Sequence, residues 1–300
     1  MERVYFGLED DIINPCWDNV FKAIFTRDTP ESRGALKFLL SAILGRILTV
    51  VLITANEPPV DSLHERQIRY DINCKFDNGD LCNIEMTLSA DPFEPVRLEY
   101  YSGKLFTNQD IRGKDKTYND LKHSYQIALL VNNPMYKDDE FIHHFKYYDE
   151  TNGISLGGRS HIIVIELAKL EQTMKKPVAE MTTLERWTVF FKYTPDKEKR
   201  GLVNEIIKVE EGIAMAGQVL LNISKDEEER ARIISEYKYI VDLQSKTVNA
   251  RREGLEQGRQ DEKVEVARNA LGTGLDTDTI SKITGLTHSE IENLRNSLLL

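Results

Sequence analysis

Two alternating runs on either side of Asp77-Asn78-Gly79 constrain this chain more than any other stretch. A three-residue loop with glycine in the left-handed position joins antiparallel strands tightly, so Phe76 is expected to pair with Asp80. Counting outward along residues 67 to 88 places Asp71 opposite Glu85. Side chains alternate between the two faces of a strand. One face therefore collects Ile72, Cys74, Phe76, Cys82, Ile84, Met86 and Leu88, and the other Asp71, Asn73, Lys75, Asn83, Glu85 and Thr87.

The flanking sequence makes this hairpin the middle of a sheet. Apolar residues at helical spacing mark residues 14–26, through Trp17, Val20, Phe21, Ile24 and Phe25, and 31–46, through Leu36, Leu39, Leu40, Ile43 and Leu44. A β-branched run at 48–54 reads as a strand ended by Pro58 and Pro59. Residues 94–111 read as a helix, and 126–131, 142–148 and 161–167 as strands. Beyond Leu167 helical periodicity takes over, in 182–194, 199–221 and 226–247. The stretch 249–271 is dense in charge and carries Gly254 and Gly258, which suits a solvated helix. The tail, 276–298, reads as two short helices joined at Gly285-Leu286-Thr287, a pattern that fits a helix-turn-helix and also a plain helical hairpin. The expected division is an α/β core at 1–168, a helical extension packed on it at 169–248, and a charged helix with a helix-turn-helix-like tail at 249–300.

Composition limits the partners. A formal net charge of -10 excludes a surface coated in basic residues, so contact with nucleic acid must be a local patch. No stretch approaches the roughly 18 apolar residues of a membrane span, and the start lacks a basic-then-apolar leader, which points to a cytoplasmic protein. Cys16, Cys74 and Cys82 have no zinc-type spacing and read as reduced packing residues. His143, His144 and His161 lack a partner at metal spacing and read as structural. No phosphate loop or Ser-His-Asp arrangement supports nucleotide hydrolysis or acyl transfer.

The polar face of the hairpin is where chemistry can reside. A polar face is normally just solvent-exposed, but in a sheet with helices on both sides it is covered. Two opposed carboxylates without an Arg between them are best neutralised there by a divalent metal, which makes Asp71 and Glu85 candidate ligands. Mg²⁺ at such a pair activates water and stabilises charge on a scissile phosphate.

These residues, in their order, resemble the recombination-promoting nuclease or transposase-like branch of the PD-(D/E)XK superfamily. The likeness starts with Asp18, Phe21-Lys22 and Phe25, continues through Asp71 and Ile84-Glu85-Met86-Thr87, and includes Arg97, Tyr100-Tyr101 and Tyr118. It extends to Val164-Ile165-Glu166-Leu167, Trp187 and the Thr-Gly-Leu-Thr of 284–287. The resemblance implies a restriction-endonuclease-like α/β core, a mixed central sheet flanked by helices, followed by a helical C-terminal region. It also implies Mg²⁺-dependent, or Mn²⁺-dependent, hydrolysis of DNA phosphodiesters in a recombination or mobile-element setting. Asp71 and Glu85 would be the metal ligands, with the carbonyl of Met86 as a further one. The chain departs from the pattern at Thr87, where the family has Gln and the superfamily Lys. A threonine hydroxyl bonds a water or phosphate but supplies no positive charge. Lys75 on the same face, or Lys22 or Lys104 on flanking helices, are the candidates to replace it. The alternative is a catalytically impaired nuclease fold that acts as a DNA- or protein-binding module.

Arg97, Tyr101, Lys104 and Asn108 share one helical face, suited to DNA phosphates and equally to an ordinary helix surface with Tyr101 packed at its edge. Tyr118 and the basic run 112–122 could touch a nucleic-acid backbone or simply be solvated. Asp18 fits an additional metal ligand as well as a surface salt bridge. The tail, with Gly254 and Gly258, is a candidate surface for homo-oligomer formation.

Overall fold

The computed structural model describes residues 3–57 and 68–297. Pro58, Pro59 and Gln67, assigned above to a strand end and to the start of the hairpin, lie outside the described residues, as does the end of the tail. The chain forms two compact units, Met1–Ile234 and Ser235–Leu300.

The first unit is built on a six-stranded sheet of order β1-β2-β3-β4-β6-β5. Its strands are β1 (Val51–Ile53), β2 (Ile72–Phe76), β3 (Leu81–Thr87), β4 (Ser124–Leu130), β5 (Ile142–Phe145) and β6 (Ser160–Glu166). β2 and β3 are the expected hairpin. Ile72 faces Ile84 and Cys74 faces Cys82, and the Phe76 N–H donates to the Asp80 carbonyl at 2.9 Å. Gly79 takes φ +87°, the left-handed conformation the loop requires. β3, β4 and β6 run parallel, and the other pairings are antiparallel. Parallel neighbours need a crossover; α3 (Glu94–Thr107) provides it between β3 and β4.

Helices cover both faces of the sheet, as parallel strands require. The apolar face of the hairpin, with Ile127, Leu129, Ile163 and Ile165, packs into one core with α1 (Asp18–Thr26), α2 (Pro30–Leu44), α4 (Thr183–Tyr193), α5 (Arg200–Val209) and α6 (Glu211–Lys225). Phe21, Phe25, Trp187 and Phe191 meet there with centroids 5.0 to 6.1 Å apart, Trp187 stacked on Phe191 and the other pairs edge-on or tilted. α3 closes the opposite face, where Leu98 packs with Ala128, Leu130 and Val164, and Leu105 with Ile68 and Tyr70. Asn83, Glu85, Gln126 and Glu166 on this face are consequently buried. All three cysteines are buried and free of disulfides.

Several expected boundaries shift for identifiable reasons. The strand at 48–54 contracts to the three residues of β1. The helix expected at 94–111 stops at Thr107, because Gln109 turns to exchange hydrogen bonds with the backbone of Lys122 at 3.0 and 2.7 Å. The helix at 199–221 is two helices, α5 and α6. Glu210 breaks them with an extended backbone, φ -108° and ψ 115°, its carboxylate taken by Arg186 and by the Thr183 hydroxyl.

α7 (Glu227–Gly272) contains the unit boundary, after Ile234, whereas the sequence reading divides the chain at 249. In the second unit α8 (Thr277–Thr284) and α9 (His288–Ser297) close a small core of Ala267, Ala270, Ile280, Leu286 and Ile291. α9 opens on a reciprocal cap: the Thr287 N–H donates to Glu290 at 2.7 Å, and the Glu290 N–H to the Thr287 hydroxyl at 3.3 Å. Among the described residues no helix is long and apolar enough to cross a membrane.

Candidate nuclease site

Asp71 stands just before β2, and continuing the ladder past Ile72–Ile84 sets it opposite Glu85. The Met86 N–H donates to Asp71 Oδ2 at 3.2 Å, which fixes the carboxylate against β3. From the other side α1 delivers a cation: Lys22 Nζ lies 3.0 Å from Asp71 Oδ1 and 2.8 Å from Asp18 Oδ1. The four-residue spacing of Asp18 and Lys22 puts both on one face of α1. Asp18 thus serves in a salt bridge.

Glu85 is only 3% exposed. Its Oε1 accepts from Asn83 Nδ2 at 2.8 Å, and the same amide donates to Gln126 Oε1 at 3.0 Å. Among the described residues Oε2 has no hydrogen-bond partner. The Arg97 guanidinium stands 3.6 Å away from it, beyond a direct hydrogen bond. Arg97, in the first turn of α3, donates instead to Glu94 at 2.6 Å and to the Thr87 hydroxyl at 3.1 Å, and lies over the Tyr101 ring at 5.6 Å. The sequence reading found no Arg between the carboxylates. The structure corrects this, bringing Lys22 to one and Arg97 to the other from helices distant in sequence.

The electrostatics follow the geometry. Burial pushes the Glu85 carboxyl up to about 7, and the charge of Asp71 adds to the effect while Arg97 opposes it. Burial, reinforced by Asp18, also raises Asp71 against the pull of Lys22. Tyr70 packs edge-on against Tyr101 at 5.8 Å, and burial, then Glu85, raises its phenol.

Other expected site residues fall elsewhere. Lys75 pairs with Leu81 at the turn end of the hairpin and is exposed, so it stands apart from the carboxylates. α3 runs against β3: Arg97 meets Thr87 at the end of that strand, whereas the Ser102 hydroxyl meets that of Ser160, at the start of β6, at 2.8 Å. Lys104, roughly 10 Å along the helix from Arg97, and Tyr118, in the turn before β4, therefore lie toward the opposite end of the sheet. Arg159, next to Ser160, confirms the placement by bonding the carbonyls of Asn119, at 2.8 Å, and Leu121. The sequence places Asn83 on the polar face without a role, and gives no role to Gln126, Glu94 and Tyr70. Of these, Glu94 had a usable signal, an acid three residues before Arg97 on a helix.

Among the described residues no group of three or more His, Cys, Asp or Glu side chains is arranged to hold a metal ion. The carboxylates of Asp71 and Glu85 face each other on neighbouring strands, with Arg97 3.6 Å from Glu85. Such a set suits a small divalent cation and a phosphate.

Comparison with known proteins agrees with this architecture. No curated protein and no solved structure matches the chain. Residues 260–296, the end of α7 with α8 and α9, match the C-terminal helix-turn-helix domain of the Rpn/YhgA-like nuclease family. Residues 15–250 match the PD-(D/E)XK nuclease family transposase, and with a match over more than half its length the chain belongs to that family.

Proposed function

We propose that this chain is a nuclease-fold protein that binds nucleic acid at the Asp71–Glu85 cleft and hydrolyses it poorly. The observation that carries this reading is how the chain's own cations are used. Thr87 stands where the family pattern has Gln and supplies no charge, and its hydroxyl is occupied by Arg97 at 3.1 Å. Lys22 lies 3.0 Å from Asp71, so any other cation must displace an ammonium.

The residues present fit Mg²⁺ or Mn²⁺, because the donors are hard oxygens and one buried oxygen of Glu85 makes no hydrogen bond among the described residues. Asp71, Glu85 and the Met86 carbonyl would hold the ion. Bound there, it would supply Lewis-acid stabilisation of phosphate charge and activation of water. Arg97 is the residue placed to grip a phosphate, its guanidinium braced by Glu94 and by the Tyr101 ring. Pairing with Glu94 and Thr87 leaves it less able to follow charge as it develops, which is the function of a free lysine in active members of the superfamily.

Plasmid nicking in Mg²⁺ and Mn²⁺ tests the reading, beside DNA binding in EDTA. The unmodified chain is expected to bind and to nick slowly, and Thr87→Gln to raise nicking by about tenfold or more, an increase abolished by Asp71→Ala. Nicking by the unmodified chain as fast as by Thr87→Gln, lost in Asp71→Ala and Glu85→Ala, would overturn the impairment. One observation favours that second reading, an active metal-dependent DNA endonuclease in a recombination or mobile-element setting: the buried Glu85 has an oxygen that makes no hydrogen bond among the described residues and a carboxyl raised to about 7. Either reading carries a cytoplasmic location and self-association through residues 249–300, the latter supported by the exposed Leu255 and Val266 on α7.

A further inference from the structure

A groove runs beside the first turns of α3, on the side away from Arg97. Leu98, Ile162 and Val164 line it with apolar surface, and Tyr136, Phe145 and Tyr147 supply aromatic rings. Phe145 is 40% exposed and Tyr147 57% exposed, a concentration of aromatic surface that water does not favour. The rings are held in place. Tyr136 packs on His143 at 4.6 Å and on Phe145 at 5.4 Å. Tyr147 lies against Gly158, where an added Cβ would come within 3.3 Å of the ring.

The sheet register relates this groove to the carboxylates. Glu85 pairs with Ala128, and Ala128 with Val164, so the three share one face and one level. Val164 is thus two strand spacings, about 10 Å, from Glu85. Leu98 of α3 covers the intervening Ala128, so a strand joining the two sites passes around the start of α3 and spans more than the three steps that about 10 Å would take at a stacked spacing of about 3.4 Å.

We propose that this groove is a subsite for an unpaired nucleobase, belonging to a strand whose backbone crosses the Asp71–Glu85 cleft. The inference rests on the reading that the chain binds nucleic acid. An apolar slot edged by aromatic rings accepts the face of any base, and that face is available only when the base is out of a duplex stack. Two charged groups line the groove as well, Lys146 and Glu99. Lys146 receives the phosphate, while Glu99 repels it and accepts from the exocyclic amino group of an adenine or cytosine. The site therefore selects single-stranded or locally opened nucleic acid, and amino-bearing bases over thymine.

The test uses the full chain in EDTA, with fluorescence anisotropy of labelled single-stranded oligonucleotides and of a duplex of the same sequence. Replacing both Phe145→Ala and Tyr147→Ala is expected to weaken single-strand binding about tenfold or more while leaving duplex binding unchanged. Phe145→Tyr with Tyr147→Phe should retain the affinity. Both rings are solvent-facing, and a thermal melt of each variant verifies that the fold is intact. Equal loss for single strand and duplex, or no loss for either, would overturn the subsite and leave the nucleic-acid reading standing. Failure of the unmodified chain to bind any nucleic acid would overturn that reading, and the subsite with it.

Discussion

Glu85 and Glu166 are both buried glutamates on parallel strands of the same sheet face, yet their surroundings are opposite. Both oxygens of Glu166 are engaged. Oε1 accepts the N–H groups of Met135 and Tyr136, and Oε2 lies 2.6 Å from Lys169 Nζ and 3.2 Å from His143 Nε2. The lysine and histidine are in turn anchored by Asp138, at 3.1 and 3.4 Å. Among the described residues Glu85 has one neutral amide donor on Oε1, and a guanidinium 3.6 Å from an Oε2 that makes no hydrogen bond. Burial is common to both, so burial does not distinguish a site. What distinguishes it is a carboxylate that the fold buries and then declines to satisfy.

This contrast predicts opposite consequences for stability. Glu166→Ala leaves Lys169 and His143 with the half-exposed Asp138 as their remaining carboxylate and frees the loop that Met135 and Tyr136 tie to β6. It should cost about 3–5 kcal/mol, the range for breaking a buried ion pair by removing one partner. Glu85→Gln removes a charge that is poorly compensated and keeps the volume, and should stay within about 1 kcal/mol of the unmodified chain. Urea unfolding of the two variants measures both. The reverse ranking would mean that Glu85, not Glu166, is the structural carboxylate.

A smaller effect sharpens the comparison from the side of the cation. If the charge of Asp71 is balanced by an exchangeable ammonium, Lys22→Met removes the competitor and should tighten Mn²⁺ binding about tenfold, or about 1.4 kcal/mol. Calorimetric titration reads this without requiring turnover. Unchanged affinity would show that Lys22 is not in the way of a divalent ion, and the impairment would then rest on Thr87 alone.

The difference between the two glutamates also marks how far the sequence could be read. Turn chemistry at Asp77-Asn78-Gly79 and two-residue alternation are local, so the register of β2 and β3 and the pairing of Asp71 with Glu85 were legible. The mixed sheet between helical layers followed from the same periodicities. Lys22 and Arg97 were visible as candidates, but which cation reaches which acid depends on how α1 and α3 cross the sheet, and no spacing encodes that. The same applies to Lys75 and Tyr118: one shares a face with Glu85 and the other belongs to a basic run, yet strand direction and helix direction carry both away. Glu166 was noticed only within a resemblance, because its partners Met135, Tyr136 and His143 come from a loop and an edge strand distant from it in the chain.

A third buried ionisable group shows another way to handle burial, and gives the smallest predicted effect. His161 is on β6 with Glu166 but faces the other side, stacked on Tyr125 at 4.8 Å, with its Nε2 2.8 Å from His123 Nδ1. It is neither paired with an opposite charge, as Glu166 is, nor left charged. Burial, followed by His123, His144 and Lys146, holds it down to about 4, with Asp80 pulling weakly the other way. A histidine depressed in the folded state binds fewer protons there than when unfolded. Its contribution is therefore fully present above its ordinary value of 6.5 and is lost as the pH falls toward 4. Thermal unfolding near neutral pH and again near pH 5 should show the unmodified chain losing a few degrees more than His161→Gln, which keeps a hydrogen bond to His123 but cannot protonate. Equal losses would mean that the strand end tolerates a charged imidazole, and that only the carboxylates of this sheet are sensitive to how burial is compensated.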